Sequence, residues 1–226
     1  APTGLDSKDP RYALLSDLAK RFIQAKTFGS LIEVPAEQAP ALDELAADLS
    51  RLLADGQGRG DAMQRTAAHT LLPFIEQARL LARRYDAVIA NPPYMGSKGM
   101  NAELKEFAKV LFPDSKSDLF AIFIERNLGL AKPAGAVAMI TMQSWMFLSS
   151  YEALRSRILD RHTILTMAHL GARGFDSIGG EVVSTTAFVL GNAHHPLYQG
   201  AYFRLVDGNS EAEKAAMFKA ALAQQG

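Results

Sequence analysis

The chain has 226 residues, 48% of them hydrophobic and 21% charged, which is enough apolar material for one core with or without a helical appendage. Its 24 basic and 24 acidic side chains cancel, so affinity for nucleic acid would have to come from a local patch or from polypeptide beyond this chain; the absence of cysteine excludes a disulfide scaffold and a thiol nucleophile. No apolar run reaches the roughly 18 residues of a membrane span and the first residues lack a signal-peptide pattern, so a cytoplasmic protein with no membrane partner is expected.

In chain order, residues 1–84 read as a mostly helical lead-in. Asp9 and Pro10 are a cap and a first-turn proline, and Leu15, Leu18, Phe22 and Ala25 share one helical face before Gly29. The segment 29–32 reads as a connector with a short extended piece. A second helix carries Leu42, Leu45, Leu49, Leu52 and Leu53, and a third runs from about Met63 to Arg84 with a break or kink at Pro73.

From Asp86 the pattern changes. The run Ala87-Val88-Ile89-Ala90 predicts a strand buried on both faces. A helix over 118–131 comes next, then a Lys-Pro-Ala-Gly turn at 132–135, a strand at 136–141, and a helix capped by Ser150 with Tyr151, Leu154, Ile158 and Leu159 on its apolar face. Strands at 163–170 and 182–190 flank a glycine-rich loop at 171–180. This alternation predicts an α/β fold over 85–192, half of a doubly wound sheet that is mostly parallel with one antiparallel strand. Residues 193–226 add a strand at 202–206 and a helix from about Glu211.

The tetrapeptide Asn91-Pro92-Pro93-Tyr94 lies directly after the first strand, at a carboxyl end where open α/β sheets place ligands. Two prolines lock the backbone and remove two N–H donors, so the Asn91 and Pro92 carbonyls and the Asn91 side-chain oxygen can face outward as acceptors. Such acceptors suit an exocyclic NH₂, and the Tyr94 ring can stack on a flat heterocycle. Outside this context the same four residues would be a rigid turn and nothing more.

Residues 85–94 resemble the fourth strand and motif of the amino-group methyltransferases that use S-adenosylmethionine. Residues 171–190, Gly-Ala-Arg-Gly-Phe-Asp-Ser-Ile-Gly-Gly-Glu-Val-Val-Ser-Thr-Thr-Ala-Phe-Val-Leu, and the segment Phe28-Gly29-Ser30-Leu31-Ile32 are similar to the adenine methyltransferases of bacteriophage-exclusion (BREX or Pgl) defence systems. The resemblance implies a partial Rossmann-like methyltransferase fold, and an adenine flipped out of double-stranded DNA. It further implies that the N6 amine donates to Asn91 and the Pro92 carbonyl, with Pro93 locking the turn and Tyr94 stacking on the base. Asp86 and Asn91 are the candidate contacts to the methyl donor, although Asp86 also reads as a plain strand-start residue.

The family's glycine-rich donor loop should lie upstream, on a strand. The nearest match, Gly56, Gly58 and Gly60, comes after a helix, so it reads as an ordinary loop and the donor site is expected in the remainder of a longer polypeptide. The open edge of the first strand should then be covered by the N-terminal helices or a second copy of the chain. His69, His162, His169, His194 and His195 show no metal-ligand spacing, so no metal is expected. Glu181 reads as a loop carboxylate or a cleft residue, Arg155, Arg157 and Arg161 as a solvated helix face ahead of a phosphate contact, and Trp145 and Phe147 as core, although they stand where the family they resemble shapes its base pocket. Two other readings are amine methylation of a protein glutamine or an RNA guanine, and a non-catalytic module that binds a partner or self-associates.

Overall fold

A computed structural model describes residues 9–54, 62–175 and 183–224 and divides the chain into two compact units, Ala1–Arg84 and Tyr85–Gly226. In the first unit the Asp9 side chain accepts from the backbone N–H of Arg11 at 2.9 Å and starts α1 (Pro10–Arg21). The helix stops at Arg21, short of Gly29. The chain restarts as α2 (Ala25–Phe28) and, where an extended piece was expected, makes a 3₁₀ turn over Gly29–Leu31, with Gly29 at φ +51°.

Helices α3 (Ala39–Ala54) and α4 (Ala62–Ala82) complete this unit. Of the break or kink expected at Pro73, the break does not occur: α4 stays helical across it. A proline inside a helix costs about 3 kcal/mol; here Ala68, Ile75, Ala78 and Ala82, buried on both sides of it, offset that cost. Leu18, Ile32, Val34, Leu42 and Leu45 complete the core, and Asp43 of α3 accepts from Arg79 (2.5 Å) and Arg83 (3.0 Å), the first on α4 and the second just beyond it.

The second unit is built on a five-stranded sheet: β1 (Tyr85–Ala90), β2 (Ala131–Met142), β3 (Thr163–Gly171), β4 (Thr185–Gly191) and β5 (Ala201–Arg204). The spatial order is β1-β2-β4-β3-β5. Only β4 runs antiparallel, between β2 and β3, as the sequence predicts. Between β1 and β2 lie α5 (Ala102–Leu111) and α6 (Leu119–Leu130). Helix α6 packs on β1 and β2, and α7 (Glu152–Arg161) on β3. Side chains alternate across a sheet, so Val137, Met139, Phe188 and Leu190 go into a core with Phe120, Ile124, Leu154 and Ile158.

On the opposite face Ile89, Ala138, Ile140, Ala187 and Val189 line a shallow cleft of about 460 Å³ that ends at Phe203 of β5 and Phe218 of α8 (Glu211–Gln224). The expectation that β1 is buried on both faces is therefore wrong for this chain. Val88 and Ala90 pack on the core, while Ala87 is exposed and Ile89 is 83% exposed, because β1 is an edge strand with α6 against one face.

Three other elements depart from expectation. Helix α5 has no counterpart among the expected elements, although its start is a local signal: the Asn101 side chain accepts from Leu104 N at 2.9 Å, and the helix buries Leu104 and Ala108 one turn apart. The Lys132–Gly135 turn lies inside β2 as a bulge, with Ala134 at φ 62° and the β1–β2 register shifted between Tyr85 and Ala87. A Cβ on Gly135 would come within 3.0 Å of the Asp86 and Lys132 carbonyl oxygens. Ser150 does not cap α7 but sits in a 3₁₀ turn before it, and Leu159 is exposed, because the buried line through Tyr151, Leu154 and Ile158 leaves it a step around the helix. Strand β4 begins at Thr185, and residues 176–182 lie outside the described residues.

Candidate functional site

Asn91-Pro92-Pro93-Tyr94 leaves the carboxyl end of β1 as irregular backbone. Asn91 is exposed, and its side chain has no hydrogen-bond partner among the described residues. Pro92 is buried and Pro93 exposed. Tyr94 is half-buried, with its ring edge-on to Phe120 (centroids 6.1 Å apart, planes at 85°). The motif thus offers one unengaged amide on a backbone locked by two prolines, anchored at its far end by an aromatic contact to α6.

The segment after Tyr94 is fastened by Asp118, the cap of α6. Its Oδ1 accepts from Met95 N at 3.0 Å and from Phe120 N at 3.2 Å. Leu119 N donates to the Met95 carbonyl (3.1 Å) and Ser97 N to the Ser117 carbonyl (3.0 Å). Burial raises the Asp118 carboxyl above its ordinary value, and the backbone donors from Met95, Phe120 and Leu119 pull against that rise. Tyr94 is raised by burial and by the Asp118 charge, so it stays a neutral phenol. Below it Tyr151 packs on Phe120 (5.8 Å) and is pushed up to about 12, mainly by burial.

The other candidates are dispersed. Asp86 stands at the opposite end of β1 from Asn91, exposed, and pairs with Lys132 at 2.9 Å, so the fold does not bring the two proposed donor contacts together. Gly56, Gly58, Gly60 and Glu181 lie outside the described residues. In the cleft beside Asn91 the lining is aliphatic and aromatic except for Asn91 and Thr166. A donor carrying a ribose, an adenine and a charged amino acid needs more polar partners than these two. The described residues therefore do not fit S-adenosylmethionine by themselves.

Two arginines of α7 are engaged, contrary to the reading of a solvated face. Arg155 donates to the Trp145 carbonyl at 2.9 Å, and Arg157 bridges Asp114 and Glu125. Arg161 is exposed. Trp145 is core, edge-on to Phe188 at 5.1 Å, but Phe147 is 59% exposed beside His169 (5.5 Å), whose ring meets Gln143 at 2.5 Å. His194 and His195 are exposed and His162 is half-buried.

The model of one protein family, described as Eco57I restriction-modification methylase, matches residues 42–175, more than half of the chain and all of the motif region. The chain belongs to this family. As a member of the Eco57I methylase family it is 56% identical over 203 residues to the adenine-specific methyltransferase BrxX of Escherichia coli O9:H4 (strain HS), covering 90% of this chain and 16% of that protein. It is 42% identical over 210 residues to the adenine-specific methyltransferase PglX of Lacticaseibacillus casei (strain Zhang), covering 92% and 17%. The chain thus spans about a sixth of the length of these relatives. Among solved structures, a nuclease-deletion mutant of the Type ISP restriction-modification enzyme LlaGI, in complex with a DNA substrate mimic, superposes with a TM-score of 0.49 at 15% identity, over 68% of this chain and 17% of that one. The sheet of the second unit is Rossmann-like, as the motif resemblance implies.

Within this family member, sequence reasoning missed Asp118 as a positioning residue. The signal was present, since Asp118 reads as a helix start; a single carboxylate that both caps α6 and holds Met95 requires the tertiary approach of residues 95 and 118, which no local pattern encodes.

Proposed function

We propose that this chain is the amine-presenting part of a site-specific DNA adenine-N6 methyltransferase of the BREX or Pgl type. The observation that carries the reading is Asn91: an unengaged amide at the carboxyl end of β1, on a double-proline backbone braced by Tyr94 against Phe120. The similarity to adenine-specific methyltransferases over nine-tenths of the chain supports adenine as the base. Asn91 and Pro92 would accept hydrogen bonds from the N6 amine of a flipped adenine while Tyr94 stacks on its ring. An amine conjugated into a purine is a poor nucleophile. Two acceptors drawing on its hydrogens favour a pyramidal nitrogen and fix its direction of attack, which is positioning and electrostatics with no side-chain base.

The methyl donor is S-adenosylmethionine, held by the remainder of a longer polypeptide. The bare apolar cleft along Ile89, Ala138 and Ile140, and the edge of β1 with its unpaired backbone N–H and C=O groups, support this: both are sheet surface of the kind that further chain covers. The test is methyl transfer by the longer protein to duplex DNA, with N6-methyladenine measured by mass spectrometry. Asn91→Ala should lower the rate by about 10²–10³-fold, the typical loss of one preorganised partner of the reacting group. Methyl groups recovered on protein glutamine or RNA guanine, or an unimpaired Asn91→Ala variant, would refute the reading.

A further inference from the structure

Basic and acidic residues cancel over the whole chain, yet four lysines converge on one depression immediately downstream of Tyr94. Lys98, Lys105, Lys109 and Lys116, with Ser97 and Ser117, line a cleft of about 360 Å³. Lys98, Lys109 and Lys116 are exposed and Lys105 is half-buried. The acidic groups on the same helix are Glu103 and Glu106, both exposed; Lys109 lies 3.7 Å from Glu106. Among the described residues Lys98, Lys105 and Lys116 form no ion pair.

The cleft has a fixed frame. The Ser97–Ser117 backbone hydrogen bond (3.0 Å) and the Gly99–Gly96 turn (2.8 Å) hold one wall. Helix α5, capped by Asn101, presents Lys105 and Lys109 one turn apart on the other. Asp118, next in the chain after Lys116 and Ser117, fastens Met95, so the lysines and the Asn91–Tyr94 motif are tied to the same short loop. Lys98 is four residues from Tyr94, so their Cα atoms lie at most about 14 Å apart. Clustered like charges with serine hydroxyls between them are costly alone and are relieved by an extended polyanion.

We propose that this lysine cleft grips the sugar–phosphate backbone of duplex DNA beside the base held at Asn91–Tyr94. The choice of DNA as the polyanion rests on the function proposed above. The test is fluorescence anisotropy of labelled duplex DNA with the 226-residue chain across a salt series. The slope of log K against log salt changes by about 0.9 per phosphate contact. Lys98→Ala/Lys116→Ala should therefore flatten the slope by about 1.8, and replacing all four lysines by about 3.6. Arginine at the same two positions should restore it, and Lys20→Ala/Lys219→Ala, two exposed lysines elsewhere, should leave it unchanged. Unaltered slopes in the cleft variants, equal losses in the control pair, binding of duplex RNA but not DNA, or no salt-dependent binding by the wild type would each overturn the proposal. Failure of the adenine reading is seen separately, as absent N6-methyladenine in the methyl-transfer assay while the lysine-dependent slope persists.

Discussion

Replacing Asp118 by alanine removes two acceptor contacts at once, one to Phe120 N at the start of α6 and one to Met95 N behind the motif. Loss of a helix cap costs about 1 kcal/mol, and losing the exposed Met95 N–H contact, whose donor can turn to water, adds about 0.5 kcal/mol. Part returns because a half-buried carboxylate no longer has to be kept from water, so the net loss should be about 1 kcal/mol. Trp145, the chain's only tryptophan and buried against Phe188, reports unfolding of the second unit by fluorescence. With a urea dependence of about 1–3 kcal/mol/M, the midpoint should fall by roughly 0.5 M. Asp118→Asn keeps an acceptor oxygen and should lose under about 0.5 kcal/mol, asparagine being as good a cap as aspartate. The pH dependence has a definite sign. Because burial raises the Asp118 carboxyl, the folded state holds that proton to a higher pH than the unfolded chain. Wild type should therefore lose stability relative to Asp118→Asn as pH rises from the unfolded value through the folded one. An asparagine variant as damaged as the alanine variant, or a wild type that gains on it over that rise, would refute the argument.

Arg157→Ala should destabilise the second unit by about 2 kcal/mol in the same urea assay, since it strands Glu125 and Asp114; this discounts the full cost of breaking a buried pair for the partial exposure of the arginine. Burial already raises the Glu125 carboxyl and Arg157 opposes the rise, so the loss should shrink toward acid pH, where the carboxyl is protonated in both states; a loss independent of pH would contradict the assignment. Ile89→Thr should change the stability of this chain by under about 0.5 kcal/mol, because Ile89 is 83% exposed, but that of the longer protein by about 2 kcal/mol if further polypeptide covers β1. Equal, small effects in the two proteins, read from paired melting curves, would mean that nothing packs on Ile89.

The elements that the sequence by itself determined are those whose signals are local. Asp9 and Asp118 start helices because a side-chain oxygen reaches an N–H two residues away. The strand, helix, strand alternation after Asp86 and the rigid turn of Asn91-Pro92-Pro93-Tyr94 come from apolar periodicity and from the fixed φ of proline. Tertiary structure decided what depends on neighbours distant in the chain. The apolar run at 87–90 promised two buried faces, yet burial belongs to the position in the sheet, and as an edge strand covered by α6 on one face β1 leaves Ile89 bare. Pro73 stays inside α4 because packing on both sides outweighs a lost hydrogen bond. Arg157 is tied into a pair because Asp114 and Glu125 come to it from 43 and 32 residues away. The lysine cleft exists only because residues 96–98 are laced to 116–118: a sequence lists its charges, but their field is set by where the folded backbone holds them.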